Sequence, residues 1–408
     1  MIDTIKIHDS LYFIGVNDRE TYLFENLWPL DKGVSYNSYL INDEKVALID
    51  TVKNTKMEPF MSKIGGILDK KPVDYLIINH MEPDHSGAIK AVKEKYPDVT
   101  IVGNKKTFQL LENFYGKMSN YLIIEDGDIL DLGKNKLKFY MTPMVHWPET
   151  MMTYEMTENV LFSGDAFGGF GTLDGGVFDD EVNLEFYTDE IRRYYSNIVG
   201  KYGAMVQKAL KKLKDANIDI KVIAPTHGPV WRSNPSCIIE YYDRWSKAET
   251  EEGVVIVYGS MYGNTQKMAD YIARELSERD IKNIRIYDAS KTHVSYIISD
   301  IWRFKGLILG SCAYNTGLFP SMETVLHKIE NSQLKNRYLG IFGTASWSGG
   351  GVSTLNKFAE KIKWPQVGES VEAQSSPKEN EFKLCSEIAA EMAKSLLSER
   401  QDSKPICE

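Results

Sequence analysis

The chain has 408 residues, 43% hydrophobic and 26% charged, an ordinary globular composition with room for two domains that each bury a core. A formal charge of −9 with no dominant basic stripe argues against nucleic acid or an anionic membrane as partner, and Lys357, Lys361 and Lys363 read as a solvated helix face. No apolar run approaches the ~20 residues of a membrane helix, and Met1 to Ser10 alternates like an edge strand and unlike a signal peptide, so a cytoplasmic location is expected. Cys237, Cys312, Cys385 and Cys407 lack any C-x-x-C spacing, which excludes a disulfide framework and a thiolate-held iron or zinc.

In chain order, Leu11 to Val16, Ser38 to Ile41 and Val46 to Asp50 read as antiparallel strands, the last two joined by the turn residues Asn42-Asp43-Glu44. A helical segment from Lys56 to Leu68 precedes a buried strand, Val73 to Ile78. That strand runs into His80-Met81-Glu82-Pro83-Asp84-His85, followed by a helical pattern from Ala88 to Tyr96. A polar turn could carry one such histidine. Four metal-binding side chains in six positions, two of them carboxylates between imidazoles, exceed what one ion needs and can serve a second.

Strands then recur at 99–102, 121–124, 136–142, 152–156 and 160–163, a β-rich pattern that fits two layers with helices outside. Three later loops carry further candidates, each just after a strand. His146 lies in His146-Trp147-Pro148-Glu149-Thr150, Asp165 ends Leu161-Phe162-Ser163-Gly164-Asp165, and His227 lies in Pro225-Thr226-His227-Gly228-Pro229. Singly, each histidine is better explained as a hydrogen-bonded structural residue, but together on strand ends they can converge on one rim. His8, His293 and His327 take no part.

Ser246 to Gly253 is polar and ends in glycine, marking a boundary between domains at 1–250 and 251–400, with a polar tail at 401–408. Beyond it, apolar strands at 254–258, 284–287, 306–309, 339–342 and 369–373 alternate with helical segments, which predicts a doubly wound, five-stranded parallel sheet. The loop Ser260-Met261-Tyr262-Gly263-Asn264-Thr265 opens a helix, placing hydroxyls and backbone N–H groups where a phosphate would sit. It is neither a Walker loop nor a dinucleotide fingerprint, and so suits a mononucleotide such as FMN.

The pattern H-x-E-x-D-H, then His, a strand-ending Asp and T-H-G-P, resembles the metallo-β-lactamase-like domain of flavodiiron proteins over roughly residues 1 to 250. The hydrolases of that fold carry a second histidine where Glu82 stands, and a carboxylate there makes the pocket harder and favours non-haem iron over zinc. The resemblance implies that His80, Glu82 and His146 bind one iron and Asp84, His85 and His227 the other, with Asp165 bridging. It also implies a tyrosine beside the site, matched to Tyr195 on a helical stretch expected from Arg192 to Ala216.

The second half resembles flavodoxins. Ser260 to Thr265 matches their phosphate loop, and Ser311-Cys312-Ala313-Tyr314-Asn315 with Ser346-Trp347-Ser348-Gly349-Gly350-Gly351 match the two loops that flank the isoalloxazine. Cys312-Ala313 replaces a more usual Pro-Thr, exchanging a hydroxyl for a thiol.

The whole chain therefore resembles a two-domain flavodiiron protein: a metallo-β-lactamase-like αββα sandwich followed by a flavodoxin-like α/β domain. The family implies two irons and one FMN, reduction of dioxygen to water with nitric oxide as second substrate, and an external donor that is a rubredoxin, another reductase or a deazaflavin. It further implies a homodimer, or a tetramer built from head-to-tail dimers. The alternatives are a binuclear zinc hydrolase with a flavodoxin-like appendage and a non-catalytic electron-transfer or sensing module.

Overall fold

In a computed structural model that describes residues 5 to 399, the chain forms two compact units that divide between Asp243 and Arg244. The tail expected at 401–408 lies outside the described residues.

The first unit is built on two sheets. One has seven strands in the order Ile5–Lys6, Leu11–Phe13, Tyr39–Asn42, Val46–Ile49, Tyr75–Ile77, Thr100–Gly103, Tyr121–Ile123, antiparallel as far as Val46–Ile49 and parallel beyond. The other runs Ile129–Asp131, Lys136–Met141, Met151–Glu155, Val160–Gly164, Val222–Pro225, with only its last pair parallel. Tyr39 and Phe162 meet between the sheets with ring centroids 5.2 Å apart. The helix Met57–Leu68 buries Phe60, Ile64 and Leu68, the i, i+4, i+8 stripe of an amphipathic helix. This is the αββα sandwich expected.

Several boundaries differ. The opening strand breaks into Leu11–Phe13 and Val16–Asp18, because at Gly15 the backbone passes so close that a Cβ would lie 2.8 Å from Asn37 Cα. A short helix, Pro83–Ser86, forms within the first ligand loop, with proline in its first turn where the missing N–H costs nothing. The helix expected from Arg192 begins earlier, as Leu184–Tyr194, capped by Asn183 accepting from Glu185 N, and runs on into a wider π-turn, Tyr195–Val199. The hairpin Leu23–Phe24/Trp28–Pro29 is too short to leave an alternating pattern in the sequence.

The second unit carries one parallel sheet ordered Ile284–Asp288, Glu251–Gly259, Phe304–Cys312, Tyr338–Ala345, Val371–Gln374. The central strands are apolar along their length, and on one face Ile256, Ile308 and Phe342 pack with Met268 and Ile272 of the helix Asn264–Ser277 and Ile388 and Met392 of the helix Glu379–Ser398.

One polar contact stitches the two sheets of the first unit. Asp43, in the turn after Tyr39–Asn42, accepts from Asn135 N at 2.6 Å and Asn135 Nδ2 at 2.8 Å, on the turn before Lys136–Met141. Burial opposes its charge, but these donors outweigh it and hold its carboxyl below the ordinary value. A depressed folded-state pKa stabilises the fold above the unfolded value, and that contribution is lost as pH falls through the folded one. Asp43→Asn should therefore cost about 1–2 kcal/mol near pH 7, with the gap to the parent narrowing below about pH 4, in urea titrations at both ends of that range.

Candidate metal centre and mononucleotide loops

The strands Tyr75–Ile77, Val160–Gly164 and Val222–Pro225 each deliver a ligand loop, and His146 arrives between Lys136–Met141 and Met151–Glu155. These loops form two groups whose ligand atoms lie within 4.8 Å of one another: His80, Glu82, His146 and Asp165, and Asp84, His85 and His227. None of the seven side chains is more than 12% exposed. Asp165 faces both groups. Its Oδ2 lies 3.0 Å from His146 Nε2 and 3.5 Å from His80 Nε2, and its Oδ1 lies 2.8 Å from His85 Nε2 and 3.8 Å from His227 Nε2.

Outer partners aim the imidazoles. His80 Nδ1 meets Glu149 Oε1 at 2.8 Å, and His227 Nδ1 donates to Ser35 O at 2.7 Å, so each turns Nε2 inward. Asp50 accepts from Asn79 N at 2.8 Å and His80 N at 3.3 Å, pinning the backbone where the ligand loop starts. Thr226 Oγ1 donates to Asp165 Oδ1 at 2.6 Å.

The electrostatics bear on what this cluster can hold. Burial would lower the histidines, yet the carboxylates beside them hold His80 well above its ordinary value and raise His85 and His146 to about 9. Burial would raise Asp165, but His85 and His80 keep it well below the usual range. Among the described residues, both oxygens of Asp84 and Nε2 of His227 have no hydrogen-bond partner. Buried lone pairs left in that state are costly, and two cations would satisfy them. Carboxylates with imidazoles are a donor set suited to non-haem iron, so the residues fit that metal.

The ring of Tyr195 packs on that of Tyr242 with centroids 4.9 Å apart, and the ring of Tyr194 lies 5.4 Å from that of His227. Burial, then the charges of Asp165, Glu82 and Asp84, push Tyr194 well above the ordinary tyrosine value, and its hydroxyl has no partner among the described residues.

In the second unit the three sequence-predicted loops follow Glu251–Gly259, Phe304–Cys312 and Tyr338–Ala345, adjacent strands of one sheet. In the first loop Gly263 takes φ +85 and its N–H donates to Ser260 Oγ at 3.1 Å, just before the helix Asn264–Ser277; Met261 and Tyr262 are exposed. Thr265 is buried, its hydroxyl 2.9 Å from that of Thr344. Ser311 is also turned inward, accepting from Phe319 N, and burial pushes the Cys312 thiol up. Ala313 N donates to Thr344 O at 2.8 Å, tying the second loop to the third strand. Asn315 has φ +46. Tyr314 and Trp347 stand exposed, Trp347 by 88%. Across Ser346, Ser348, Gly349 and Gly350 the chain turns tightly: Gly350 has φ +116, and a Cβ there would lie 2.1 Å from Thr316 O. Exposed aromatic faces beside a helix N-terminus, at the strand order where doubly wound sheets bind ligands, fit a flavin mononucleotide.

Fold and site together define a two-unit protein with a binuclear metal centre in one unit and a mononucleotide-binding sheet in the other. Family models match in the same order: the ODP family beta lactamase over residues 34–228 and flavodoxin over 256–388. The chain is 32% identical over 395 residues to the anaerobic nitric oxide reductase flavorubredoxin of Escherichia coli O1:K1 / APEC, covering 96% of this chain and 82% of that one. It superposes on the rubredoxin oxygen:oxidoreductase of Desulfovibrio gigas with TM-score 0.92 and 29% identity, covering 97% of this chain and 99% of that one. The flavodiiron protein of Giardia intestinalis gives TM-score 0.91 at 27% identity, with 98% of each chain covered. The chain belongs to the flavodiiron protein family.

Sequence reading missed Glu149, Asp50 and Ser35, whose roles depend on contacts made only in the fold. Glu149→Gln should weaken metal binding by about 10–100-fold, measured by chelator competition, because an amide offers His80 a different partner. Unchanged affinity would show that Glu149 does not orient the ligand.

Proposed function

We propose that this protein reduces dioxygen to water, with nitric oxide to nitrous oxide as a second activity, at two irons supplied with electrons by FMN. The observation that carries this reading is Asp165: one buried carboxylate whose two oxygens face two separate ligand groups, in a chain that also folds a flavodoxin unit. His80, Glu82 and His146 would hold one iron, Asp84, His85 and His227 the other, with Asp165 between. Ser260 to Thr265 would hold the FMN phosphate, and Ser311 to Asn315 with Ser346 to Gly350 the ring. When bound, the irons supply Lewis-acid and redox chemistry and the flavin stores the electrons.

The chain's own residues do the rest. Glu149 and Ser35 fix the imidazoles, so little reorganisation is needed when a diatomic enters. Phe24, Phe170 and Tyr194 pack around His227 and exclude water from that side. Tyr194 carries a hydroxyl with no hydrogen-bond partner among the described residues, and it would serve as a donor to a diatomic in the pocket. Its high pKa keeps that proton in place at neutral pH.

Anaerobic stopped-flow mixing of the reduced protein with each gas separately tests the assignment, and flavin reoxidation by neither gas would end it. Loss of an outer partner costs a metal site about 10–100-fold, so Asp165→Asn, which removes the bridge itself, should cost turnover more than that. It should also cost more than His85→Asn, which leaves Asp84 and His227 to hold their ion. Equal residual rates in the two variants would refute the bridge.

The domains are taken as 1–250 and 251–400, and the protein as cytoplasmic; no helix among the described residues is long and apolar enough to cross a membrane. A rubredoxin, another reductase or a deazaflavin would deliver electrons. Ligand loops and flavin loops lie in different units, and a head-to-tail homodimer, alone or paired into a tetramer, would bring one chain's flavin to its partner's irons. Mixing Asp165→Asn chains with chains altered at Thr265 and Trp347, after dissociation and reassembly, should restore about a quarter to a half of the parental activity from two inactive parents. A monomer active at every dilution would rule this assembly out.

A further inference from the structure

The seven ligand side chains are at most 12% exposed, so an ion reaches them in the folded chain only when a covering element moves. The ligand loops are themselves tied down by backbone bonds, as Thr51 N to His85 O and Thr226 N to Gly164 O show. The hairpin Leu23–Phe24/Trp28–Pro29 is different. Its strands have two residues each, with Glu25 and Asn26 as the turn, and a ribbon that short is not stable by itself. Among the described residues its backbone bonds close on the segment: Leu27 N donates to Phe24 O, Leu30 N to Tyr22 O and Gly33 N to Leu30 O. Tyr22 and Leu27 stand 76% and 56% exposed, while Phe24, Trp28 and Leu30 are buried beneath them.

A buried ion pair reaches this hairpin from behind. Arg193, on the helix Leu184–Tyr194, donates through Nη2 to Pro29 O at 3.0 Å and to Glu190 Oε2 at 2.7 Å, and through Nε to the same carboxylate at 2.9 Å. Its guanidinium lies 4.4 Å from the centre of the Phe170 ring, Phe170 packs edge-on against Phe24 with centroids 5.4 Å apart, and Phe24 lies 5.4 Å from the His227 ring. One planar fork thus fixes both the backbone of the hairpin and the aromatic stack that covers His227. We propose that the hairpin from Tyr22 to Leu30 is the door through which metal ions enter and leave the folded chain, and that Arg193 is its latch, a positioning residue that keeps the exchange slow. Opening lifts Phe24 from the group Asp84, His85 and His227 and displaces none of the ligands. This rests on the binuclear metal reading above, whichever metal is bound.

The test loads the full chain with cobalt(II) and follows its visible bands. Release into excess EDTA, uptake by the metal-free protein and affinity by chelator competition are each measured. Arg193→Lys keeps a positive charge beside Glu190 but loses the fork that also reaches Pro29 O. A door changes the barrier equally in both directions. The variant should therefore release and take up the first ion about tenfold faster, the weight of one charge-assisted hydrogen bond, with affinity within about twofold of the parent's. Unchanged rates overturn the proposal. So does faster release matched by an equal loss of affinity, which marks a site merely loosened. If the variant does not fold, hydrogen exchange in the cobalt-loaded parent decides. The amides of Leu27 and Leu30 should exchange at least about tenfold faster than those of Thr51 and Thr226, and equal protection would rule the door out. A parent protein that binds no cobalt would remove the metal-centre reading, and this inference with it.

Discussion

Three carboxylates and four imidazoles buried within reach of one another are a constraint that the rest of the first unit serves. Left to itself, such a cluster would neutralise or open to water. Here it does neither, because the fold supplies directional partners from behind. Asp50, fixed by Asn79, holds the start of the first ligand loop, Glu149 sets His80, and Ser35 sets His227 from a strand far away in sequence. The cations that would complete the centre meet ligands already pointed at them. The sandwich can be viewed as the means of keeping these charges together when they would otherwise separate.

The second unit solves a different problem with different materials. Its loops carry no buried charge cluster; they carry glycines at positive φ, a helix N-terminus and exposed aromatic faces. A large, flat, weakly charged ring with one phosphate is bound by area and a few backbone donors, whereas metal ions are bound by point charges. Two cofactors with opposite demands on dielectric and access are therefore housed in units of opposite character.

Much of this was legible in the sequence because both sites sit at strand ends. An apolar run followed by ligand-type or glycine-rich residues gives the element, its direction and the functional loop at once, which is why His80 to His85, Asp165, His227 and Ser260 to Thr265 could be placed. What could not be read depends on approach between distant segments. Nothing in the vicinity of Glu149 distinguishes a carboxylate that will meet His80 from one that will face water. Asp50 looks like a strand-ending turn residue, and the Glu25 hairpin has strands of two residues, below the length at which alternation can be recognised. The helix that carries Tyr194 starts at Leu184, ahead of where its sequence pattern becomes clear. The contacts that the Ser311 and Thr265 hydroxyls make with Phe319 N and Thr344 likewise depend on the folded chain.

The parallel pairing of Val160–Gly164 with Val222–Pro225 has a consequence for how the protein matures. That pairing brings Asp165 beside Thr226 and His227, across a long intervening segment with two α-helices of its own. Parallel contacts of such separation form late, because the loop between them must first be ordered. A chain emerging from synthesis carries His80 to His85 well before it can supply Asp165 and His227. Until the second sheet closes, that early segment is a flexible chelator with no bridging carboxylate and no enforced geometry, open to whichever divalent ion is most abundant or binds most tightly. Correct metallation is thus tied to the order of assembly, and the metal content of a preparation records the conditions under which the chain folded.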